Sequence, residues 1–120
     1  DMISSGDSML EVARLLKQRG AAKIFMCSTF GLFTNGLDRF DAAYKNGDFD
    51  RLLTTNLVYQ TEELLQKPYY VNCDMSKYIA LIIDTLNHDS SISKLLNPVD
   101  RINKLVAKHN KELKDSKKKN

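Results

Sequence analysis

The chain has 120 residues, of which 42% are hydrophobic and 28% are charged, and its formal net charge is +3. This length and composition indicate one globular domain or part of one and exclude a disordered chain. No stretch approaches the 18 or so uncharged apolar residues that a membrane-spanning helix needs. The positive charge is local, because residues 104–120 carry seven Lys against two acidic residues, whereas residues 1–103 carry eleven basic and thirteen acidic residues.

The first predicted element is a helix over residues 8–19. Ser8 and Glu11 have the spacing of a capping box, apolar residues then recur on one helical face, and Gly20 ends the pattern. The run AKIFMC at 22–27 is too short for a helix and is partly β-branched. It predicts a strand that is buried on both faces, which is typical of a parallel sheet.

The rest of the chain continues this alternation of strands and helices. The predicted elements are a helix at 37–45, a strand at 51–56, a short helical turn capped by Thr61, a strand at 69–72, and helices at 75–87 and 99–113. Repeated strand-helix units of this length require right-handed crossovers. The sequence therefore predicts an α/β layered fold around a parallel sheet.

The opening residues, DMISSGDS, form a candidate site. If Asp1–Ile3 ends a strand, then Ser4–Ser8, which we call the opening loop, turns into a helix at the edge where open α/β folds bind ligands. Its Gly6 permits positive φ, its serines supply hydroxyls, and the helix start supplies N–H groups. Composition alone favours a turn whose serines and glycine only cap the helix. The alternative is a phosphate-binding site. The loop matches neither of the glycine-rich signatures of dinucleotide and P-loop sites.

The same stretch resembles the loop that binds phosphoribosyl pyrophosphate, in which an apolar strand is followed by two acidic residues, two apolar residues and a turn rich in Gly and hydroxyls. DMISSGDS fits this pattern from the second acidic position onward. The similarity continues in order through GAAKIFMC, STFGLFTNG, LLTTN and DMSKYIALIIDTLNH, as far as about Leu96. The chain in this way resembles the ribose-phosphate pyrophosphokinases, also called phosphoribosyl pyrophosphate synthetases.

The resemblance implies a fold, an activity and a site. The fold would be a phosphoribosyltransferase-like, Rossmann-like three-layer α/β domain that is incomplete and carries an extra C-terminal helix. The activity of the complete enzyme would be transfer of diphosphate from ATP to ribose 5-phosphate, with Mg²⁺ as cofactor. Ser4, Ser5, Gly6, Asp7 and Ser8 would hold the 5-phosphate. Asp1 would face the ribose hydroxyls, and no catalytic residue would lie in this chain.

The resemblance also implies how the chain is organised. Residues 1–97 would be the second part of a C-terminal domain, residues 98–120 a C-terminal helix with a basic tail, and the N-terminal domain would be absent. We therefore expect a truncated piece that is inactive alone, from an enzyme that forms homo-oligomers.

Three departures from the family pattern keep other functions open. Phe30 stands where a His is usual, Ser4 replaces a frequent Asp, and Asp7 replaces a frequent Gly. A carboxylate about 6 Å from a phosphate charge would cost roughly 3 kcal/mol at an effective dielectric constant near 20, so we expect Asp7 to turn outward and cap the helix. The alternatives are a non-catalytic regulatory homologue of the synthetase and another phosphoribosyltransferase.

The remaining signals favour structural roles. Cys27 and Cys73 lack the spacing of metal ligands and indicate reduced structural thiols, and the sequence shows no metal site. Asp74 is predicted to cap its helix, and His88 to complement a helix end. The Lys-rich end has no interleaved aromatic residues and indicates a solvated tail, so we expect neither a nucleic-acid nor a membrane partner. Without a leader pattern, the cytoplasm is the expected location.

Overall fold

The computed structural model describes residues 1–89, 91–93 and 97–117, with side chains as far as residue 114. Strands and helices alternate through most of it. The elements are β1 (Met2–Ile3), α1 (Asp7–Gln18), β2 (Phe25–Ser28), β3 (Phe30–Gly31), α2 (Asp38–Lys45), β4 (Arg51–Thr55), α3 (Glu62–Leu65), β5 (Tyr70–Cys73), α4 (Ser76–Asn87) and α5 (Val99–Lys117). The chain divides into two compact units at residue 76.

Every strand pair in the first unit, residues 1–76, is parallel. One sheet has the order β2-β4-β5, with Cys27 opposite Leu53 and Leu53 opposite Val71. A second sheet pairs β1 with β3. Only Thr29 separates β2 from β3, so one extended segment pairs with β4 through its first half and with β1 through its second. The predicted α/β fold with a parallel sheet is confirmed.

The core of the first unit lies between the sheet and two helices. Ala13 of α1 and Phe40 of α2 join Met26 and Leu52 of the sheet in one buried cluster. Successive strand residues point to opposite faces, so Phe25 and Cys27 point away from this cluster. Both are exposed, Phe25 by 59%. The prediction of a strand buried on both faces was therefore wrong, because α1 and α2 pack on the Met26 face.

A polar group ties α2 to the segment before β5. The Nζ of Lys67 lies 2.6 Å from Asp41 Oδ2, and the buried Tyr69 hydroxyl donates to Asp41 Oδ1 over 2.9 Å. Burial alone would raise the pKa of Asp41, but the hydrogen bonds from Lys67 and Tyr69 outweigh it and hold that pKa below its usual value. Burial, followed by the bond to Asp41, raises the pKa of Tyr69.

The predicted helix caps have mixed outcomes. Thr61 accepts the N–H of Leu64 over 3.2 Å and caps α3, as predicted. Asp74 accepts the N–H of Ser76, the first residue of α4, over 2.9 Å, so it pairs a donor at the helix start although α4 begins one residue later than predicted. The Ser8–Glu11 capping box was wrong. Helix α1 starts at Asp7, its N-cap is Gly6, and no side chain caps it.

The second unit, from residue 77 onward, contains most of α4 and all of α5. Arg101 of α5 lies over the ring of Tyr78 in α4, 5.8 Å from its centroid. The Nδ1 of His88 donates to the Asp84 carbonyl over 2.9 Å, so His88 contacts the end of α4 as predicted. Within the described residues, no helix is long and apolar enough to cross a membrane.

Candidate functional site

The opening loop forms the predicted bend from strand to helix. Strand β1 ends at Ile3, and α1 begins at Asp7. Between them, Gly6 adopts a left-handed conformation with φ of +84°. This conformation is strained for any residue with a Cβ, so the sequence folds this way because position 6 is glycine.

The buried ring of Phe40 is a second reason for glycine at position 6. A Cβ at Gly6 would overlap Cζ of Phe40 and lie 2.7 Å from its Cε2. The same ring meets Phe33 edge-on, with 5.3 Å between centroids, and Phe33 in turn crowds Gly31. The Phe40 ring against Gly6 and the Phe33 ring against Gly31 therefore connect the opening loop to the segment after β2.

Backbone hydrogen bonds make the same connection. The N–H of Leu32 donates to the Ile3 carbonyl over 2.8 Å, and the N–H of Thr34 donates to the Ser4 carbonyl over 3.0 Å. The hydroxyls of Ser4 and Thr34 lie 3.4 Å apart. The stretches DMISSGDS and STFGLFTNG, which carry much of the sequence resemblance, are therefore neighbours in space.

The start of α1 offers hydrogen-bond donors to solvent. The first helical bond runs from the Leu10 N–H to the Gly6 carbonyl over 3.0 Å, so the N–H groups of Ser8 and Met9 have no acceptor within the helix. The Asp7 N–H lies 3.5 Å from the Ser5 hydroxyl. Ser4 and Ser8 are exposed, and Ser5 is half-buried. These N–H groups and hydroxyls are the donor types that bind phosphate at helix starts.

The carboxylate of Asp7 does not cap α1, contrary to the prediction. It forms an ion pair with the guanidinium of Arg39, in the first turn of α2, and lines a groove between the two helices. Both side chains are about half exposed, at 47% for Asp7 and 63% for Arg39. The loop's own negative charge is therefore paired with a cation from the next helix.

Asp1 lies outside the opening loop, at the amino end of β1 and beside the carboxyl ends of β2, β4 and β5. It borders a cavity of about 310 Å³ that is also lined by Cys27, Ser28, Thr29, Leu53, Thr55 and Cys73. Its carbonyl accepts the N–H of Phe30 over 3.1 Å. The structure thus places Asp1 beside hydroxyls from two other strands, whereas Ser4–Ser8 gather at the start of α1.

A polar network at this edge was not predicted from the sequence. Gln60 Nε2 donates to the hydroxyl of Tyr70 and to the Thr55 carbonyl, and that hydroxyl lies 2.6 Å from the buried Thr54 Oγ1. Asn56 donates to Asp74 Oδ1 over 2.8 Å. The sequence feature that could have indicated this network is the polar triplet Thr54-Thr55-Asn56, which follows the apolar residues of a predicted strand. The network fixes the loop after β4 against β5.

The described residues contain no group of three or more His, Cys, Asp and Glu side chains that could share one metal ion. Asp74 is engaged with its neighbours, because hydrogen bonds from Ser76 and then from Asn56 lower its pKa. Asp74 Oδ1 therefore already accepts hydrogen bonds from Asn56 and Ser76.

Comparison with known proteins gives one family. Residues 1–97 match the family model of the phosphoribosyl synthetase-associated domain. The chain is 28% identical over 98 residues to the ribose-phosphate pyrophosphokinase of Vibrio parahaemolyticus, covering 81% of this chain and 30% of that protein. It is 30% identical over 99 residues to human phosphoribosyl pyrophosphate synthase-associated protein 2, covering 82% of this chain and 26% of that protein.

A solved structure gives the same fold. The phosphoribosylpyrophosphate synthetase from Mycobacterium smegmatis superposes with a TM-score of 0.63 at 20% identity, over 75% of this chain and 29% of that one. The chain thus spans between a quarter and a third of the length of the proteins that it matches.

Proposed function

The chain belongs to the phosphoribosyl synthetase-associated domain family, and from this premise we propose that it is the C-terminal part of a ribose-phosphate diphosphokinase whose opening loop binds ribose 5-phosphate. The observation that carries the proposal is the glycine-dependent bend at residues 4–8, which lies inside the matched region and brings N–H groups and serine hydroxyls together. In this proposal the complete enzyme transfers the diphosphoryl group of ATP to the 1-hydroxyl of ribose 5-phosphate. The products are phosphoribosyl pyrophosphate and AMP.

The opening loop binds the 5-phosphate in this proposal. The N–H groups at the start of α1 and the hydroxyls of Ser4, Ser5 and Ser8 donate to the phosphate oxygens. A hydrogen bond to a charged group contributes about 1.5–3 kcal/mol, whereas the helix dipole contributes about 0.3–1 kcal/mol. The hydrogen bonds therefore supply most of the binding free energy.

Asp1 orients the sugar in this proposal. It lies outside the opening loop, in the cavity at the strand ends, beside Ser28, Thr29 and Thr55. A carboxylate accepts hydrogen bonds from hydroxyls, so Asp1 suits the ribose 2- and 3-hydroxyls. In this proposal the opening loop binds the phosphate end of the substrate, and Asp1 binds the ribose hydroxyls.

ATP and Mg²⁺ belong to the complete enzyme in this proposal. Mg²⁺ would there neutralise the charge of the phosphate groups of ATP. We accordingly propose that this chain contributes binding and orientation rather than phosphoryl-transfer chemistry. Incubation of the 120-residue chain with ATP, Mg²⁺ and ribose 5-phosphate is expected to give no phosphoribosyl pyrophosphate; product formation would refute this division of roles.

The binding proposal is tested by amide NMR spectra of the 120-residue chain. We expect ribose 5-phosphate to shift the amide signals of residues 5–9 with a Kd of about 1–10 mM, whereas ribose without the phosphate leaves them unchanged. Gly6→Ala should abolish the shifts. Gly20→Ala, at the other end of α1, has a similar positive φ with open space around it and should preserve them. If ribose 5-phosphate at about ten times the upper end of that Kd range shifts no amide signal of the unsubstituted chain, the opening loop does not bind phosphate.

A regulatory homologue is the second candidate. It is favoured by Phe30 and Asp7, which depart from the enzyme pattern, and it is compatible with the match to the human synthase-associated protein 2. In a longer polypeptide that contains this chain, the enzyme hypothesis predicts that Gly6→Val abolishes diphosphokinase activity. The regulatory hypothesis predicts no activity before or after the substitution, and a change only in the activity of an added synthetase. Homo-oligomers stay a prediction of the family resemblance, and a cytoplasmic location stays a prediction of the sequence pattern.

A further inference from the structure

The charge of the opening region is unusual for a phosphate site. Residues 1–8 contain the carboxylates of Asp1 and Asp7 and no basic side chain. A carboxylate beside the loop repels a phosphate dianion and lowers the affinity for it. An anion at this loop therefore needs a cation from elsewhere in the fold.

Arg39 provides that cation. Its guanidinium forms an ion pair with Asp7, and its neighbour in sequence is Phe40, whose ring lies against Gly6. The packing that requires glycine in the loop therefore also positions Arg39 beside it. The Arg39 side chain is 63% exposed, and its guanidinium carries further N–H donors besides the one on Asp7.

We propose that Arg39 is a specificity-determining residue of the opening loop, and that it offsets the charge of Asp7 so that the loop accepts a phosphate dianion. This inference rests on the proposed binding of ribose 5-phosphate. One nitrogen of the guanidinium stays on the Asp7 carboxylate, and the planar group turns its remaining donors toward the phosphate. Arg39 then contributes charge that the loop itself lacks.

The paired substitutions separate this electrostatic role from a structural one. Arg39→Gln and Asp7→Asn remove opposite charges from two exposed side chains, so neither is expected to disturb the core. Arg14→Gln is the matched control. Arg14 lines the same groove between α1 and α2 but lies seven residues, or about 10 Å, further along the helix than Asp7. That separation is about one Debye length at 0.1 M salt.

The measurement is an NMR titration of the 120-residue chain and its variants with inorganic phosphate and with ribose 5-phosphate, at low and at high salt. We expect Arg39→Gln to weaken binding of both anions about fivefold and Asp7→Asn to strengthen it about fivefold. The double variant should lie near the unsubstituted chain, and Arg14→Gln within about twofold of it. High salt should reduce each difference, which a purely structural effect would not show.

Each outcome decides between the two proposals. If the unsubstituted chain binds but Arg39→Gln equals Arg14→Gln, or Asp7→Asn fails to strengthen binding, the role of Arg39 is refuted and phosphate binding stands. If only Asp7→Asn binds detectably, Arg39 does not offset the charge of Asp7, and the inference is refuted. If no variant binds either anion, both this inference and the proposed function are wrong.

Discussion

Replacing Gly6 with alanine tests the packing on which the opening loop depends. The substitution adds one methyl group at a position where φ is +84° and the adjacent ring of Phe40 is fully buried. Two costs follow. An L-residue in the left-handed region costs about 1–2 kcal/mol, and overpacking a filled core costs about 1–3 kcal/mol.

Gly6→Ala should therefore lower the free energy of unfolding by about 2–5 kcal/mol. Gly20→Ala is the control, because Gly20 has φ of +92° but no atom within 4 Å of its would-be Cβ. Only the conformational cost of about 1–2 kcal/mol applies there. The excess at Gly6, about 1–3 kcal/mol, is the contribution of the Phe40 contact.

Thermal and urea unfolding of the two variants measure this difference. In a domain of this size, 1 kcal/mol corresponds to about 4–8 °C in Tm, so the midpoints should be clearly separated. Phe40→Leu should make room beside position 6, and the loss in the double variant Gly6→Ala/Phe40→Leu should be smaller than the sum of the single losses. Equal destabilisation by Gly6→Ala and Gly20→Ala would refute the argument that Phe40 excludes a side chain from position 6.

Two further predictions concern the polar groups of the first unit. Asp41→Ala should cost about 1–3 kcal/mol at pH 7 in urea unfolding, because the buried Tyr69 hydroxyl loses its acceptor. Because folding lowers the pKa of Asp41, its carboxylate stabilises the fold above the ordinary pKa of 3.8, and this stabilisation is lost as the pH falls through the folded-state pKa. The difference in unfolding free energy between Asp41→Ala and the unsubstituted chain should therefore become smaller below pH 3.8. A difference that does not change with pH would contradict this role of Asp41. Tyr70→Phe should lower the free energy of unfolding by about 1–2 kcal/mol, because it removes the hydroxyl beside Thr54. The control Tyr59→Phe, at a position that is 86% exposed, should lower it by less than about 0.5 kcal/mol. Equal losses of stability in the two variants would contradict a stabilising role for the network around Tyr70.

Much of the fold followed from local patterns. The helix at 37–45 and the strand at 51–56 differ from the observed Asp38–Lys45 and Arg51–Thr55 by one residue at one end. Residues close in sequence determine each of these elements, so the periodicity of its apolar residues was sufficient to predict it. Phe25 was misjudged because a short apolar run does not reveal which face the helices will cover. That depends on the packing of α1 and α2, which is a property of the whole unit.

The candidate site was likewise predicted only where it depends on residues close in sequence. The bend at residues 4–8 is local, and the strand-to-helix turn was expected. Helix α1 begins one residue earlier than predicted, with Gly6 as its N-cap. The contact of Gly6 with Phe40 was missed because the two residues are 34 positions apart in sequence. Arg39 was missed as well, since the sequence gives no rule that pairs an arginine with an aspartate 32 positions earlier.

The parallel pairing of Met2 with Phe30 and Ile3 with Gly31 has a consequence for how the length of this region can vary. Adding or deleting one residue before Ser4 would reverse the sides to which all following side chains of the strand point, and would expose Ile3, which is now 2% exposed. Surface loops elsewhere in a fold can absorb such changes. Natural insertions and deletions among homologous chains should therefore avoid residues 1–6 and collect in segments outside the strands, such as 57–59, where Leu57 and Tyr59 are exposed.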